Sequence, residues 1–123
     1  MRIKTPSMDS AVLQGLREAM GGAGDPMYVE AITSFLEESK RHLHALQNAL
    51  TRGHADSIRR EAHILKGSSG YFGAHRIQAL SLTIESLAQA NQLSGIAPSV
   101  RELQDEFRQV RKVLTKEAGH GPA

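Results

Sequence analysis

The apolar residues of this chain recur in steps of three and four almost from end to end, and no stretch alternates with period two. Such spacing lays a stripe along one side of a helix and leaves no half-buried strand. Breaks divide the run. Residues 9 to 20 carry Val12, Leu13, Leu16 and Met20 on one side. "GGAGDP" follows, with Asp25 as a cap and Pro26 in the first turn of a second helix. That helix runs to about Leu50 on Val29, Ile32, Leu36, Leu43, Leu46 and Leu50, and Gly53 ends it. A third, from about 55 to 72, carries Ile58, Ala62, Leu65, Ser69 and Phe72. "GYFGA" closes it, and a fourth carries Ile77, Leu80, Ile84 and Leu87. After the loop "QLSGIAPS", a fifth carries Val100, Leu103, Phe107, Val110 and Leu114. It opens on a Ser99–Glu102 capping box or with Pro98 at its first position.

The prediction is an all-α fold, an antiparallel up-down-up-down four-helix bundle with a short additional N-terminal helix as a lid. Residues 9–117 form the domain, and 1–8 and 118–123 are expected to be flexible termini. With 123 residues the chain buries one core without staples. It has no cysteine, which excludes disulfides, thiolate zinc sites and cysteine nucleophiles. No apolar run approaches a membrane span, and "MRIKTPSMDS" lacks the apolar region of a signal peptide, so a cytoplasmic protein without membrane insertion is expected; a monomer is a separate expectation. Fifteen Lys and Arg against thirteen Asp and Glu give a formal charge of only +2, and aromatics are 4% of the residues. Both argue against nucleic acid, whose binders show basic stripes with stacking rings. The cations of the last helix interleave with Glu102, Asp105, Glu106 and Glu117, as on a solvated, ion-paired face.

The segment "REAHILKGSSGYFGA" (60–74) departs from this plain pattern. At about 100° per residue, Asp56, Arg59, Arg60, Lys66, Gly67 and Gly70 all fall within about 60° of His63 on the helix. Ile58, Leu65 and Phe72 lie opposite. His63 is therefore on the solvent face, at mid-helix, among three cations and two glycines. Glu61 leans toward the core and must curl out or find a partner. A helix glycine costs about 1 kcal/mol against alanine. On an exposed face Gly67 and Gly70 give no packing in return; they leave room for another surface to approach the imidazole. The cations suit a negatively charged group on the ring, and a neutral imidazole is a competent nucleophile near neutral pH. An ordinary solvated helix face explains the charges equally well, but not the glycines.

The run "AHILKGSSGYFGA" resembles the signature of histidine-containing phosphotransfer (HPt) domains, matching in register at Ala62, His63, Leu65, Lys66, Gly67, Ser68, Ser69, Gly73 and Ala74. Ile77, Leu80, Ile84 and Glu85 stand where that family carries its next apolar positions and an acidic or amide residue. The resemblance extends over roughly residues 10 to 115. It implies His63 as phosphoryl acceptor through Nε2, Lys66 steadying the phosphoryl oxygens, Gly67 clearing the partner's approach, and Glu85 accepting a hydrogen bond from Nδ1–H. An ordinary exposed glutamate remains an equal reading of Glu85. The family often places a basic residue shortly after the Glu85 position; here Gln89 stands nearby and no cation does. Arg59, Arg60 and Gly70 are the expected partner-binding residues instead.

On this reading His63 takes a phosphoryl group from the aspartyl phosphate of one response-regulator receiver domain and passes it to another, with a hybrid sensor histidine kinase upstream. No cofactor is expected on this chain, since Mg²⁺ would come with the receiver. "GGAGD" lacks the lysine and spacing of a phosphate-binding loop, so no autokinase activity is expected. The alternatives are a non-phosphorylated helical adaptor, which has no need of His63, Lys66 and Gly67 together, and the histidine-bearing domain of a chemotaxis-type kinase. His42 and His44, two apart on one helix, point apart and read as solvated, not as metal ligands. His54 and His120 fall in a loop and the tail. Ser68 and Ser69 read as small packing residues, not as nucleophiles.

Overall fold

Five α-helices account for most of residues 7–119, which the computed structural model describes. They are α1 (Ser10–Ala19), α2 (Pro26–Arg52), α3 (Ala55–Tyr71), α4 (His75–Gln89) and α5 (Ile96–Glu117). A 3-10 turn, Leu93–Gly95, leads into α5. Side-chain caps fix two of the starts. Asp9 Oδ1 accepts from the backbone N–H of Ala11 at 2.9 Å, and Asp25 Oδ1 from that of Met27 at 2.9 Å. Gly53 ends α2 at φ 70°, a left-handed conformation that glycine adopts without strain.

Helix α3 packs between α2 and α4, and α5 packs between α4 and α2, closing a four-helix ring. Ile58, Ala62, Leu65 and Ser69 are the buried side of α3. Burying a side chain such as Ile58 or Leu65 contributes about 1.5–3 kcal/mol. That sets the rotation of α3 and turns the opposite side, His63 included, outward.

The lid is held by particular contacts. The Asp9 N–H donates to the Gly73 carbonyl at 2.8 Å. Val12 lies against Gly73, where φ is 74° and an added Cβ would fall 2.9 Å from the valine Cβ, so this corner requires glycine. At the far end of α1 the Arg17 guanidinium pairs with Glu117 of α5, its Nε 2.6 Å from Oε1. The buried Tyr28 of α2 donates its hydroxyl to the same oxygen at 3.0 Å. Burial, and then the Glu117 charge, push the Tyr28 phenol up to about 12, so it remains a donor across the ordinary pH range.

Several details differ from the sequence expectations. The buried side of α2 runs through Tyr28, Ile32, Phe35, Leu43, Leu46 and Ala49, while Val29, Leu36 and Leu50 are only partly buried. The stripe is rotated because the rings reach furthest inward: Phe35 stacks on Phe72 with centroids 4.6 Å apart. Helix α5 starts at Ile96, earlier than expected, so Pro98 is its third residue and Ser99 forms no capping box. The first N–H groups of a helix have no intrahelical acceptor, so proline costs nothing there, and the buried Ile96 favours the earlier start. Glu106 is not on a solvated face: it is buried, with Oε1 3.3 Å from Arg76 Nε of α4. Met8 packs against the core and Ala118 is buried, so the packed body reaches slightly past 9–117 at both ends. Residues 1–6 and 120–123 of the expected flexible tails, His120 included, lie outside the described residues.

Candidate functional site

His63 is the ninth residue of α3, and its side chain is 65% exposed. Its Nδ1 lies 2.7 Å from Oε2 of Glu85, on the third turn of α4. The other carboxylate oxygen, Oε1, accepts from Lys66 Nζ at 2.6 Å. One largely buried carboxylate thus joins the histidine and the lysine, which are a turn apart on α3. The packing of α3 on α4 brings them together: Ile84, next to Glu85, is fully buried, and this rotates Glu85 to the edge facing α3.

The Lys66 ammonium, and to a lesser degree His63, hold the Glu85 carboxyl below the 4.5 usual for a glutamate, against the opposing effect of burial. Glu85 is therefore ionised near neutral pH, and a carboxylate can only accept. Nδ1 must carry the proton. In the neutral ring the lone pair is then on Nε2, which has no hydrogen-bond partner among the described residues. The site presents a nucleophilic nitrogen to solvent, with a negative charge behind the ring to balance the positive charge it gains on reacting.

The two glycines of this face differ. Gly67 is exposed, and a Cβ built there meets nothing within 4 Å. Gly70 is partly covered: an added Cβ would stand 2.5 Å from Nε2 of Gln78 on α4. The expectation that neither glycine gives packing is corrected at Gly70, where the missing side chain admits Gln78. Arg59 and Arg60 are exposed on the turn before His63, and Arg60 reaches Ser57 Oγ at 3.4 Å.

Glu61 has a partner that sequence reasoning missed. His42 Nδ1 of α2 lies 2.6 Å from Glu61 Oε2, so His42 is a half-buried bridging residue and not a free surface histidine. The signal was the core-leaning position of Glu61, but the opposing element could not be read from it. Ser69 is buried and donates to the Leu65 carbonyl at 2.5 Å, in keeping with a packing role. No group of three His, Cys, Asp or Glu among the described residues is arranged to hold a metal ion.

Comparison with known proteins agrees with this geometry. The sequence model of the Hpt domain family matches residues 30–113, the greater part of the chain. This chain belongs to the Hpt domain family. It is 28% identical over 100 residues, 79% of each chain, to histidine-containing phosphotransfer protein 4 of Arabidopsis thaliana. Its fold is similar to the crystal structure of histidine-containing phosphotransfer protein B from Pseudomonas aeruginosa PAO1, with a TM-score of 0.87 and 28% identity. That match covers 97% of this chain and all of the other. As an Hpt domain the chain is a phosphorelay intermediate, a phosphoryl carrier between receiver domains and not itself a catalyst, and its partners are receiver domains and histidine kinases. No helix among the described residues is long and apolar enough to cross a membrane.

Proposed function

We propose that His63 is the residue of this Hpt domain that carries the phosphoryl group, through Nε2. The observation that carries the proposal is the Nδ1–Glu85 hydrogen bond, which leaves Nε2 unprotonated and facing solvent. Nε2 attacks the phosphorus of an aspartyl phosphate in line, the phosphorus–oxygen bond to the aspartate breaks, and its electron pair returns to the receiver's carboxylate. Nδ1 keeps its proton, and Glu85 offsets the charge on the ring. Positioning and charge stabilisation supply most of the acceleration in such transfers.

Lys66 rests on Glu85 in the unloaded protein and turns to the phosphoryl oxygens when they arrive one turn away, a short movement for a flexible ammonium. Gly67 clears the receiver's approach, and Gly70, with Gln78 lying over it, keeps the next turn low. Arg59 and Arg60 draw the acidic rim of a receiver toward the ring. The upstream donor in this reading is the receiver domain of a hybrid sensor kinase. The carrier acts as a cytoplasmic monomer whose folded unit is essentially residues 9–117.

The test is incubation with phosphorylated receiver domains and Mg²⁺, following label on wild type and on His63→Gln. Acid-labile, alkali-stable label on wild type alone is expected. Label that persists on the variant would assign the phosphoryl group to another residue.

A further inference from the structure

Beside the reacting nitrogen the fold leaves apolar side chains uncovered. Ile64, Tyr71 and Leu82 are on α3 and α4, the helices that carry His63 and Glu85. They are 37, 57 and 50% exposed, so each offers surface to a partner. Ile64 and Tyr71 stand three residues before and four after Gly67, within about 60° of it around the helix. They are therefore its neighbours on the α3 surface. Leu82 comes from the other side. His63 meets Glu85 and Gly70 lies under Gln78, so in this antiparallel pair Leu82 falls level with Lys66 and Gly67. On α4 it is about 40° from Gln78 and about 60° from Glu85, the two residues that reach α3, and toward solvent from both.

Between these side chains is open space. A Cβ built on Gly67 meets nothing within 4 Å. The result is a shallow socket with bare backbone as its floor and exposed apolar walls. The Tyr71 wall is already in place, its ring edge-on to the buried Phe72 with centroids 5.5 Å apart. Along α3 the face is divided: Arg59 and Arg60 are exposed on the turn before His63, and the socket lies beside and after it. One helical turn is about 5.4 Å, so a protein that brings an aspartyl phosphate to Nε2 also covers Gly67 and its rim. A second copy of this chain is a poor occupant, because it would set Arg59, Arg60 and Lys66 against the same cations.

We infer that Ile64, Tyr71 and Leu82 frame a socket over Gly67 for one apolar side chain of the docking receiver, and that the fit of that side chain decides which receivers this carrier accepts. The inference rests on the reading of His63 as the acceptor. Arg59 and Arg60 speed the encounter by long-range attraction, which does not distinguish one acidic rim from another. An apolar anchor desolvated in a fitted pocket does discriminate. A side chain too small leaves the walls wet, and one too large strikes the glycine backbone.

The test uses the full chain and a panel of receiver domains. Binding of the unphosphorylated receivers is measured by calorimetry, and single-turnover transfer from the phosphorylated forms is followed against carrier concentration. Leu82→Gln and Tyr71→Gln are surface changes to a good helix former. Each should weaken receiver binding about tenfold and raise the half-saturating concentration alike, with a much smaller change in the rate at saturation. Met27→Gln, exposed on α2, should alter neither. Gly67→Leu, which fills the socket, should also weaken binding about tenfold without a fall in Tm. Across the panel the wall variants should change the order of affinities, whereas Arg59→Ala/Arg60→Ala should lower all of them together. Wild-type affinity in both wall variants would overturn the inference, as would equal losses in Met27→Gln, an unchanged order of affinities, or no receiver binding the wild type. Because binding is read without transfer, an error in the His63 assignment would show separately, as label on His63→Gln.

Discussion

Two histidine–glutamate pairs bridge neighbouring helices in this domain, and they are almost the same length: His63–Glu85 at 2.7 Å between α3 and α4, and His42–Glu61 at 2.6 Å between α2 and α3. In both, Nδ1 faces the carboxylate. What separates them is the surroundings. The His63 side chain is 65% exposed and that of His42 is 30%. Glu85 also holds the Lys66 ammonium, and no second cation reaches Glu61 within salt-bridge distance among the described residues. Gly67 opens the space one turn beyond His63. On the proposal that His63 and not His42 takes the phosphoryl group, the hydrogen bond alone does not make an acceptor. A fixed tautomer, a carboxylate kept ionised, a cation within reach and room for a second protein act together at one pair and not at the other.

The comparison breaks most sharply on the histidines themselves. His63→Gln should abolish phosphoryl uptake from a receiver domain, and His42→Gln should leave its extent intact in the same label-transfer assay. Equal loss in both would mean that the bundle's integrity, and not the His63 ring, limits the reaction. The carboxylates come next. A charge-assisted hydrogen bond contributes about 1.5–3 kcal/mol, and if Glu85→Gln forfeits it in the transition state the transfer slows about 10- to 100-fold. Glu61→Gln should leave the transfer rate nearly unchanged. Stopped-flow or quenched-flow rates with one receiver separate the two; similar rates for both variants would remove Glu85 from its orienting role.

Acid sharpens the difference by a different route. The folded-state pKa of Glu85 is held below its unfolded value, chiefly by Lys66, so its ion pairs stabilise the fold fully above about pH 4.5. That contribution is lost as pH falls through the lower folded-state value. Wild type should therefore lose stability between pH 4.5 and the acid limit more steeply than Glu85→Gln, which has no proton to take up there. Denaturant unfolding across that range measures it, and parallel curves would show that Glu85 carries no depressed titration.

How much of this the sequence disclosed depends on how local the information was. The helix order, the breaks at "GGAGDP" and Gly53, and the outward rotation of His63 were legible because caps and periodicity act within a few residues. The rotation of α2 toward Tyr28 and Phe35 was not, since it is set by which rings meet Phe72 across the core. The start of α5 was missed because Pro98 and Ser99 satisfy the rules for a helix start without being one, and the buried Ile96 prevails. At the site, Glu85 was placed by resemblance and not by spacing, because its meeting with His63 depends on the register of two separate helices. The His42–Glu61 pair failed to appear for the same reason, with no motif to mark it.

The smallest expected effect separates function from stability at the two glycines. Gly67 sits mid-helix with open space where a Cβ would go, so Gly67→Ala removes the glycine penalty and meets nothing. It should stabilise the domain by up to about 1 kcal/mol, a rise in Tm of roughly 4 °C for a chain of this size. Gly70→Ala should gain less, because its methyl displaces the Gln78 amide from the packing between α3 and α4. If Gly67 is present to admit a receiver, the same alanine that raises Tm should slow phosphoryl uptake. A variant that is more stable and transfers at the wild-type rate would show that the exposed turn beyond His63 does not lie under the partner. A variant that is less stable would contradict the open space itself. Thermal unfolding and transfer rates on the two alanine variants distinguish these outcomes, because a helix with nothing above it has no structural reason to prefer glycine.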